Sequence, residues 1–154
     1  MQSFIIYDSM YGNTEKIAKA IGGGLPGEVK VVRVGEVNTS ELKTFDLLII
    51  GSPVHGGRPM PAIDVFLKKL PSNSLQGMRV AAFDTRFESE EQGIGLRILM
   101  SVIRYAAQRI AKDLEKKGGR LVAEPEGFIV ENKEGPLKQG ELERAINWAK
   151  GMNE

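Results

Sequence analysis

The chain alternates short apolar runs with longer segments of helical periodicity, and the alternation continues over its whole length. Several runs are apolar at adjacent positions, which is typical of strands buried on both faces of a sheet. The runs are Phe4 to Tyr7, Val29 to Val34, Asp46 to Ile50, Met78 to Phe83, and an interrupted run from Leu121 through Phe128 to Val130. This order predicts a doubly wound α/β fold, because right-handed crossovers place helices on both faces of a five-stranded parallel sheet.

The segments between the runs repeat apolar residues every three or four positions, so each set marks the buried face of one helix. The sets are Ile17, Ile21 and Leu25; Ile63, Phe66, Leu67 and Leu70; Leu99, Ile103, Ala107, Ile110 and Leu114; and Leu142, Ile146 and Ala149. A further short helix is predicted over Ser40 to Phe45, capped by Ser40. Tyr105 and Trp148 fall within helical periods and are assigned to packing. Pro125 has no N–H to donate, so we expect an interruption of the last strand there.

Length and composition exclude several classes of protein. The 154 residues have the length of one domain, and no repeat or linker divides residues 1–154. Cysteine is absent and His55 is the single histidine, so we expect no disulfide, thiol nucleophile or metal site. The 21 basic and 20 acidic side chains leave no charge excess for nucleic acid. Without a signal peptide or a long apolar stretch, the sequence predicts a cytoplasmic protein without membrane partners, as a monomer or weak dimer.

Three loops with unusual chemistry follow the first, third and fourth predicted strands. They comprise residues 8–14, 51–59 and 84–87. In open parallel sheets, ligands bind beyond the carboxyl ends of the strands, where the strand order reverses. We therefore expect these three loops to converge on one crevice.

The first loop leads from a buried strand directly into a helix and is predicted to bind a phosphate group. The first N–H groups of a helix lack intrahelical partners and carry partial positive charge, so they attract an anion. The hydroxyls of Ser9 and Thr14 add donors, and Gly12 permits close approach. The loop has no lysine and lacks both common nucleotide-binding glycine motifs, which favours a monophosphate. The alternative is a helix capped by Asn13 or Ser9 that binds nothing.

These loops resemble those of the flavodoxin family. Ser9-Met10-Tyr11-Gly12-Asn13-Thr14 is similar to its Ser/Thr-x-Thr-Gly-x-Thr phosphate loop, with Tyr11 in place of the middle threonine. Gly-Ser-Pro-Val-His-Gly-Gly at 51–57 resembles the second flavin loop, and residues 84–87 resemble the third. The resemblance covers essentially the whole chain. It implies a sheet in the order 2-1-3-4-5 with FMN in the crevice.

The resemblance also implies the residues that contact FMN. The phosphate would lie on Ser9 to Thr14, the ribityl chain near Ser9 and Ser52, and the isoalloxazine ring between the second and third loops. The implied contacts in these two loops are Ser52, Pro53, Val54, His55, Gly56, Gly57, Arg58, Asp84, Thr85, Arg86 and Phe87. The family commonly stacks the flavin between aromatic side chains, and these two loops offer only His55 and Phe87.

Two further features bear on the flavin. In the family, a glycine-containing peptide at the position of Gly56 and Gly57 rotates to offer either C=O or N–H to flavin N5; the alternative is a simple turn. Arg58 and Arg86 stand where the family usually keeps acidic residues, and near the ring they would stabilise its reduced anion. The alternative is that both are solvated, or paired with Asp64 or Glu88.

The resemblance implies a protein that shuttles electrons between unidentified redox partner proteins through non-covalently bound FMN. One alternative is a small NAD(P)H-dependent flavin or quinone reductase that uses Arg58 or Arg86. Another is a cofactor-free binding module with the same fold. No catalytic acid or base stands out. Arg97 and Arg104 lie seven apart on the polar face of the third predicted helix, where they are either solvated or able to dock an acidic partner.

Overall fold

The computed structural model describes residues 1–87 and 105–153. The strands are β1 Gln2–Tyr7, β2 Glu28–Arg33, β3 Leu47–Pro53, β4 Arg79–Phe87, β5 Arg120–Leu121 and β6 Glu126–Val130. The helices are α1 Asn13–Gly23, α2 Pro61–Lys69, α3 Ala106–Lys116 and α4 Glu141–Gly151, with short 3-10 helices at Val34–Glu36 and Thr39–Thr44. Four residues named in the predictions above, Leu99, Ile103, Arg97 and Arg104, lie outside the described residues, as does Glu88.

The strands form one parallel sheet in the order β2-β1-β3-β4-β5, which confirms the predicted 2-1-3-4-5 order. The sheet has a sixth strand, because β6 also pairs with β4. β5 pairs with the start of β4 and β6 with its end, from Phe83↔Glu126 to Phe87↔Val130. The predicted fifth strand is therefore two strands along one edge, interrupted at 122–125, where Pro125 has no N–H to donate.

Each face of the sheet is covered by a separate hydrophobic layer. On one face, Ile63 of α2 and Ile110 of α3 pack against alternate strand residues. On the other face, Ile17 of α1 and Ala145 of α4 pack against the residues between them. Successive side chains of a strand point to opposite faces, so the end of β4 divides between the two layers. Asp84 and Arg86 lie on the α2 and α3 face, and Thr85 and Phe87 on the other.

Two local assignments have a definite outcome. The predicted short helix is the 3-10 helix Thr39–Thr44, and its N-cap is Asn38 rather than Ser40, because the Asn38 side-chain oxygen accepts the Ser40 amide at 3.2 Å. The assignment of Trp148 to packing is confirmed, since its indole meets the ring of Phe83 edge to face at 6.3 Å and that of Phe128 at 6.0 Å. Among the described residues, no helix has the length and hydrophobicity needed to cross a bilayer.

Arg144 fastens α4 to the end of the sheet. Its guanidinium forms two hydrogen bonds with Glu141, at 2.9 and 2.7 Å, and one with Glu126 at 2.7 Å, and it lies over the ring of Phe128. Glu141 also accepts the Ile129 amide at 2.7 Å. Burial by itself raises the pKa of Glu141, but Arg144 and the Ile129 amide outweigh it and lower that pKa. This network holds β6 in place beside the cavity described next.

Candidate cofactor-binding site

A cavity of about 110 Å³ opens at the carboxyl ends of β1, β3, β4 and β6. It is lined by Ser9, Met10, Tyr11, Asn13, Thr14, Pro53, Val54, His55, Met60, Thr85, Phe87, Val130 and Lys133. The structure thus brings members of all three predicted loops together in one crevice. Three large apolar side chains stay exposed at its rim, with Met10 45%, Tyr11 44% and Phe87 47% accessible. The crevice therefore offers aromatic and apolar surface to a ligand, and one side of the crevice is open to solvent.

The first loop ends in a helix terminus without a side-chain cap. Gly12 is the N-cap of α1 with φ 90°, and neither Asn13 nor Ser9 caps the helix. Asn13 instead donates its side-chain amide to the Glu134 carbonyl at 3.1 Å, and the Ser9 hydroxyl oxygen accepts the Gly12 amide at 3.0 Å. Backbone amides without an acceptor in the described part of the chain are those of Met10, Tyr11, Asn13, Thr14 and Glu15. Such amides are the donors that an anion needs.

Arg33 stabilises the conformation of this loop. The Asp8 carboxylate accepts the Ser9 amide at 2.9 Å and the Arg33 guanidinium at 3.1 Å, and Arg33 also donates to the Ser9 carbonyl at 3.0 Å. The Asp8 amide in turn donates to the Gly51 carbonyl at 3.1 Å. These bonds occupy the Asp8 carboxylate together with the amide and the carbonyl of Ser9. The loop is therefore held in place by the protein itself, and no lysine is needed within it.

Two buried hydroxyls meet at the floor of the cavity. The side-chain oxygens of Thr14 and Thr85 are 2.7 Å apart, and the residues are only 1% and 4% exposed. Only one of the two hydroxyl hydrogens can lie between the oxygens. The other hydrogen has no acceptor among the described residues, and both residues line the cavity. The sequence predicted a donor role for Thr14, and the structure places its hydroxyl at the cavity next to that of Thr85.

The second loop closes on itself through Ser52. The Ser52 side chain is fully buried; its oxygen accepts the Met60 amide at 2.8 Å, and its hydroxyl donates to the Pro53 carbonyl at 2.9 Å. Ser52 does not line the cavity, although the sequence placed it near a ribityl chain. Its hydroxyl instead holds together the two ends of the loop that carries His55.

The tip of the second loop is a two-residue hairpin. His55 and Arg58 exchange backbone hydrogen bonds of 2.7 and 3.1 Å, and the central residues Gly56 and Gly57 have φ of 59° and 78°. Positive φ at both central positions is typical of a type I′ turn, for which two glycines are well suited. The peptide bond between the glycines takes part in neither hydrogen bond. The turn alternative from the sequence is therefore observed, and the peptide predicted to rotate is not tied down by either bond.

Asp84 and Arg86 do not line the cavity. Arg86 pairs with Asp84 through bonds of 2.8 and 2.9 Å, and its guanidinium lies 3.6 Å from the centre of the Tyr105 ring. Asp84 also accepts the Ala107 amide at 2.9 Å, which ties β4 to the first turn of α3. Burial raises the pKa of Asp84, while Arg86 and this amide act in the opposite direction. Of the two arginines predicted beside a flavin, Arg86 thus has a buried partner, Asp84, and Arg58 is exposed.

Three residues of the cavity were missed by the sequence reasoning: Met60, Val130 and Lys133. Lys133 belongs to the polar turn that follows β6, and the position of this turn after a strand was the available signal, since the carboxyl ends of parallel strands share one edge. Tyr11 was assigned to phosphate binding through its loop. Its exposed ring at the cavity makes it a second aromatic side chain, besides Phe87, that can meet a planar ligand.

Comparison with known proteins gives a consistent result. A family model described as a flavodoxin domain matches residues 4–124. The flavodoxin of Clostridium beijerinckii is 33% identical over 84 residues, which cover 51% of this chain and 60% of that protein. An uncharacterized protein of Methanocaldococcus jannaschii is 37% identical over 73 residues, covering 43% of this chain and 19% of that protein. The chain therefore spans less than two thirds of either relative.

The fold is also found among solved structures. The structure of a flavodoxin from the domain Archaea matches with a TM-score of 0.78 at 21% identity, covering 99% of this chain and 96% of that chain. At this level of identity the likeness concerns the fold alone.

Proposed function

This chain belongs to the flavodoxin family, and on that premise we propose that it binds FMN non-covalently and carries electrons between redox partner proteins. The observation that carries the proposal is the uncapped start of α1, where five amides have no acceptor among residues 1–87 and 105–153 and stand beside a cavity rimmed by Tyr11 and Phe87. The amides suit a phosphate, and the rings suit a flat aromatic ligand. A phosphorylated flavin combines the two.

The residues present fit this group. The five available amides of the first loop and the hydroxyl pair of Thr14 and Thr85 would hold the phosphate, while Tyr11, His55 and Phe87 would surround the ring. Bound FMN supplies the electron-transfer chemistry, and the protein supplies position and electrostatics. The exposed rim of the cavity leaves one side of the site open toward a partner.

The first test is a titration of the purified protein with FMN, followed by the quenching of flavin fluorescence. We expect saturable binding of FMN and clearly weaker binding of riboflavin, because riboflavin lacks the phosphate that the amides would hold. A protein that takes up neither flavin would support the cofactor-free module instead. Anaerobic addition of NADPH to the FMN complex separates the remaining alternative, since bleaching of the flavin would indicate a reductase.

We expect Gly12→Val to weaken FMN binding by at least about tenfold, that is by about 1.4 kcal/mol or more. Gly12 has φ 90°, a conformation that a β-branched residue adopts only at high cost, so the loop and its amides would shift. Riboflavin binding should change much less, because the effect passes through the phosphate. The measurement is the same fluorescence titration with both flavins.

The matched control is Gly140→Val. Gly140 is the N-cap of α4 with φ 91°, and a Cβ would meet no atom within 4 Å at either glycine. Both substitutions should therefore lower the free energy of unfolding by similar amounts, but only Gly12→Val should weaken FMN binding. Equal loss of FMN affinity in the two variants would show that the site lies elsewhere.

A further inference from the structure

The hairpin at residues 55–58 separates two concave surfaces. His55 lines the cavity described above, while Gly56, Gly57 and Arg58 line a second groove of about 420 Å³ on the other side. The opposite wall of this groove is α3, which contributes Arg109, Lys112, Asp113 and Lys116. The candidate flavin site and this groove therefore share one thin wall of four residues.

The pattern of α3 explains why the groove is charged. Its polar residues at 109, 112, 113 and 116 have the spacing of one helix face, and the apolar residues between them, such as Ile110 and Leu114, are fully buried. A smaller groove continues from Asp113 and Lys116 toward α2. Among residues 1–87 and 105–153, the cations lining the two grooves are Arg58, Lys68, Arg109, Lys112, Lys116 and Lys117, and Asp113 is the one carboxylate.

This concentration of charge is not a property of the whole chain. The formal net charge of the protein is only +1, so the six cations and one carboxylate that the described part of the chain contributes to these grooves must be balanced by an acidic excess elsewhere in the sequence. None of the six cations forms an ion pair within residues 1–87 and 105–153. A surface of one sign creates a field that steers oppositely charged partners.

We propose that this cationic groove docks an acidic surface of the redox partner protein and places that partner against the hairpin, beside the flavin. The proposal rests on the proposed function, since it assigns the partner of the same site. Residues 109–116 extend over about 10 Å of helix, and the cations continue onto α2. The charged surface is therefore wider than one phosphate group. Four of the six cations are exposed, whereas Arg109 and Lys117 are half-buried and Lys117 donates to the Leu70 carbonyl at 2.6 Å. Exposed, spread cations suit complementary carboxylates on a protein and act mainly on the rate and orientation of encounter.

The test uses a fluorescently labelled deca-glutamate peptide as the probe and measures fluorescence anisotropy at low and high salt, with and without FMN. We expect binding that weakens with salt, and a loss of at least about fivefold in the double variant Lys112→Glu/Lys116→Glu, as expected when two exposed attractions become repulsions. The matched control is Lys43→Glu/Lys150→Glu, which changes the net charge equally at exposed lysines outside the groove. This control should bind the peptide nearly as the unchanged protein does.

Three results would overturn the proposal: no peptide binding at low salt, an equal loss in both double variants, or tighter binding of NADPH or a thymidine oligonucleotide at the same lysines. Unchanged FMN affinity in both double variants shows that they are folded, and Lys116→Glu alone should give a smaller loss in the same direction.

The two proposals fail separately. Peptide binding without FMN binding would contradict only the cofactor, and FMN binding without peptide binding would contradict only the docking surface.

Discussion

Replacing Arg86 by methionine is expected to lower the free energy of unfolding at pH 7 by about 3–5 kcal/mol, because it leaves the buried Asp84 carboxylate without its charged partner. Asp84 is fully buried and receives two hydrogen bonds from Arg86. Methionine keeps an apolar side chain next to the Tyr105 ring, so the loss of unfolding free energy measures mainly the removal of the Arg86 charge. Urea unfolding followed by circular dichroism provides the measurement.

The dependence on pH identifies the cause. Burial already raises the pKa of Asp84, and without Arg86 that pKa rises further. A carboxyl group with a raised pKa binds its proton more tightly in the folded state than in the unfolded state. The stability that Arg86→Met loses relative to the unchanged protein is therefore largest above the pKa of Asp84 in the folded variant, and this loss shrinks as the pH falls through that pKa. The double variant Asp84→Asn/Arg86→Met should recover part of the loss at pH 7. A deficit that is the same at every pH would contradict this account.

The variant also separates two roles for Arg86. If Arg86 acts only through Asp84, the folded fraction of Arg86→Met should bind FMN with nearly unchanged affinity, since Arg86 does not line the cavity. A large loss of FMN affinity at full folding would place Arg86 beside the flavin, as the sequence suggested.

Gly51→Ala is expected to cost about 3 kcal/mol of unfolding free energy, at the upper end of the range for overpacking a core. A Cβ at Gly51 would overlap the ring of Phe83 on the neighbouring strand, and Phe83 is fully buried. The strand would have to shift, and the Gly51 carbonyl that accepts the Asp8 amide would shift with it. Thermal and urea unfolding measure the stability, and an FMN titration measures the effect on the first loop.

The matched control is Gly23→Ala in the last turn of α1. A Cβ there would meet no atom within 4 Å, so this change should be neutral or stabilise the protein by up to about 1 kcal/mol. Phe83→Leu combined with Gly51→Ala should cost less than the sum of the two single changes, because the smaller side chain leaves room. Strict additivity would show that the ring is not the obstacle.

The sequence predicted the sheet because its apolar runs are long enough to be read as buried strands. It misplaced the end of β4. Asp84, Thr85 and Arg86 are polar and were taken for a loop, whereas they continue the strand and pair with residues of β3 and β6. Polarity indicates exposure only on average. Asp84 and Thr85 are buried here because Arg86 and Thr14 supply their hydrogen-bond partners.

That boundary decides which side chains reach the site. Once 84–87 is a strand, alternation sends Thr85 and Phe87 to the cavity and Asp84 and Arg86 to the opposite face. The contact between Thr14 and Thr85 joins positions 71 residues apart, and no local pattern encodes it. The strand-to-helix loop at residues 8–14 could be predicted, in contrast, because its chemistry belongs to one short segment of the sequence.

The buried carboxylate of Asp84 has one more consequence. It joins β4, whose alternate residues line the cavity, to the first turn of α3, whose outer face carries the cationic groove. Under the docking proposal, a partner on α3 would be connected through this carboxylate to the strand that lines the proposed flavin site. If both proposals hold, we therefore expect the fold itself to set the distance between the docked partner and the flavin.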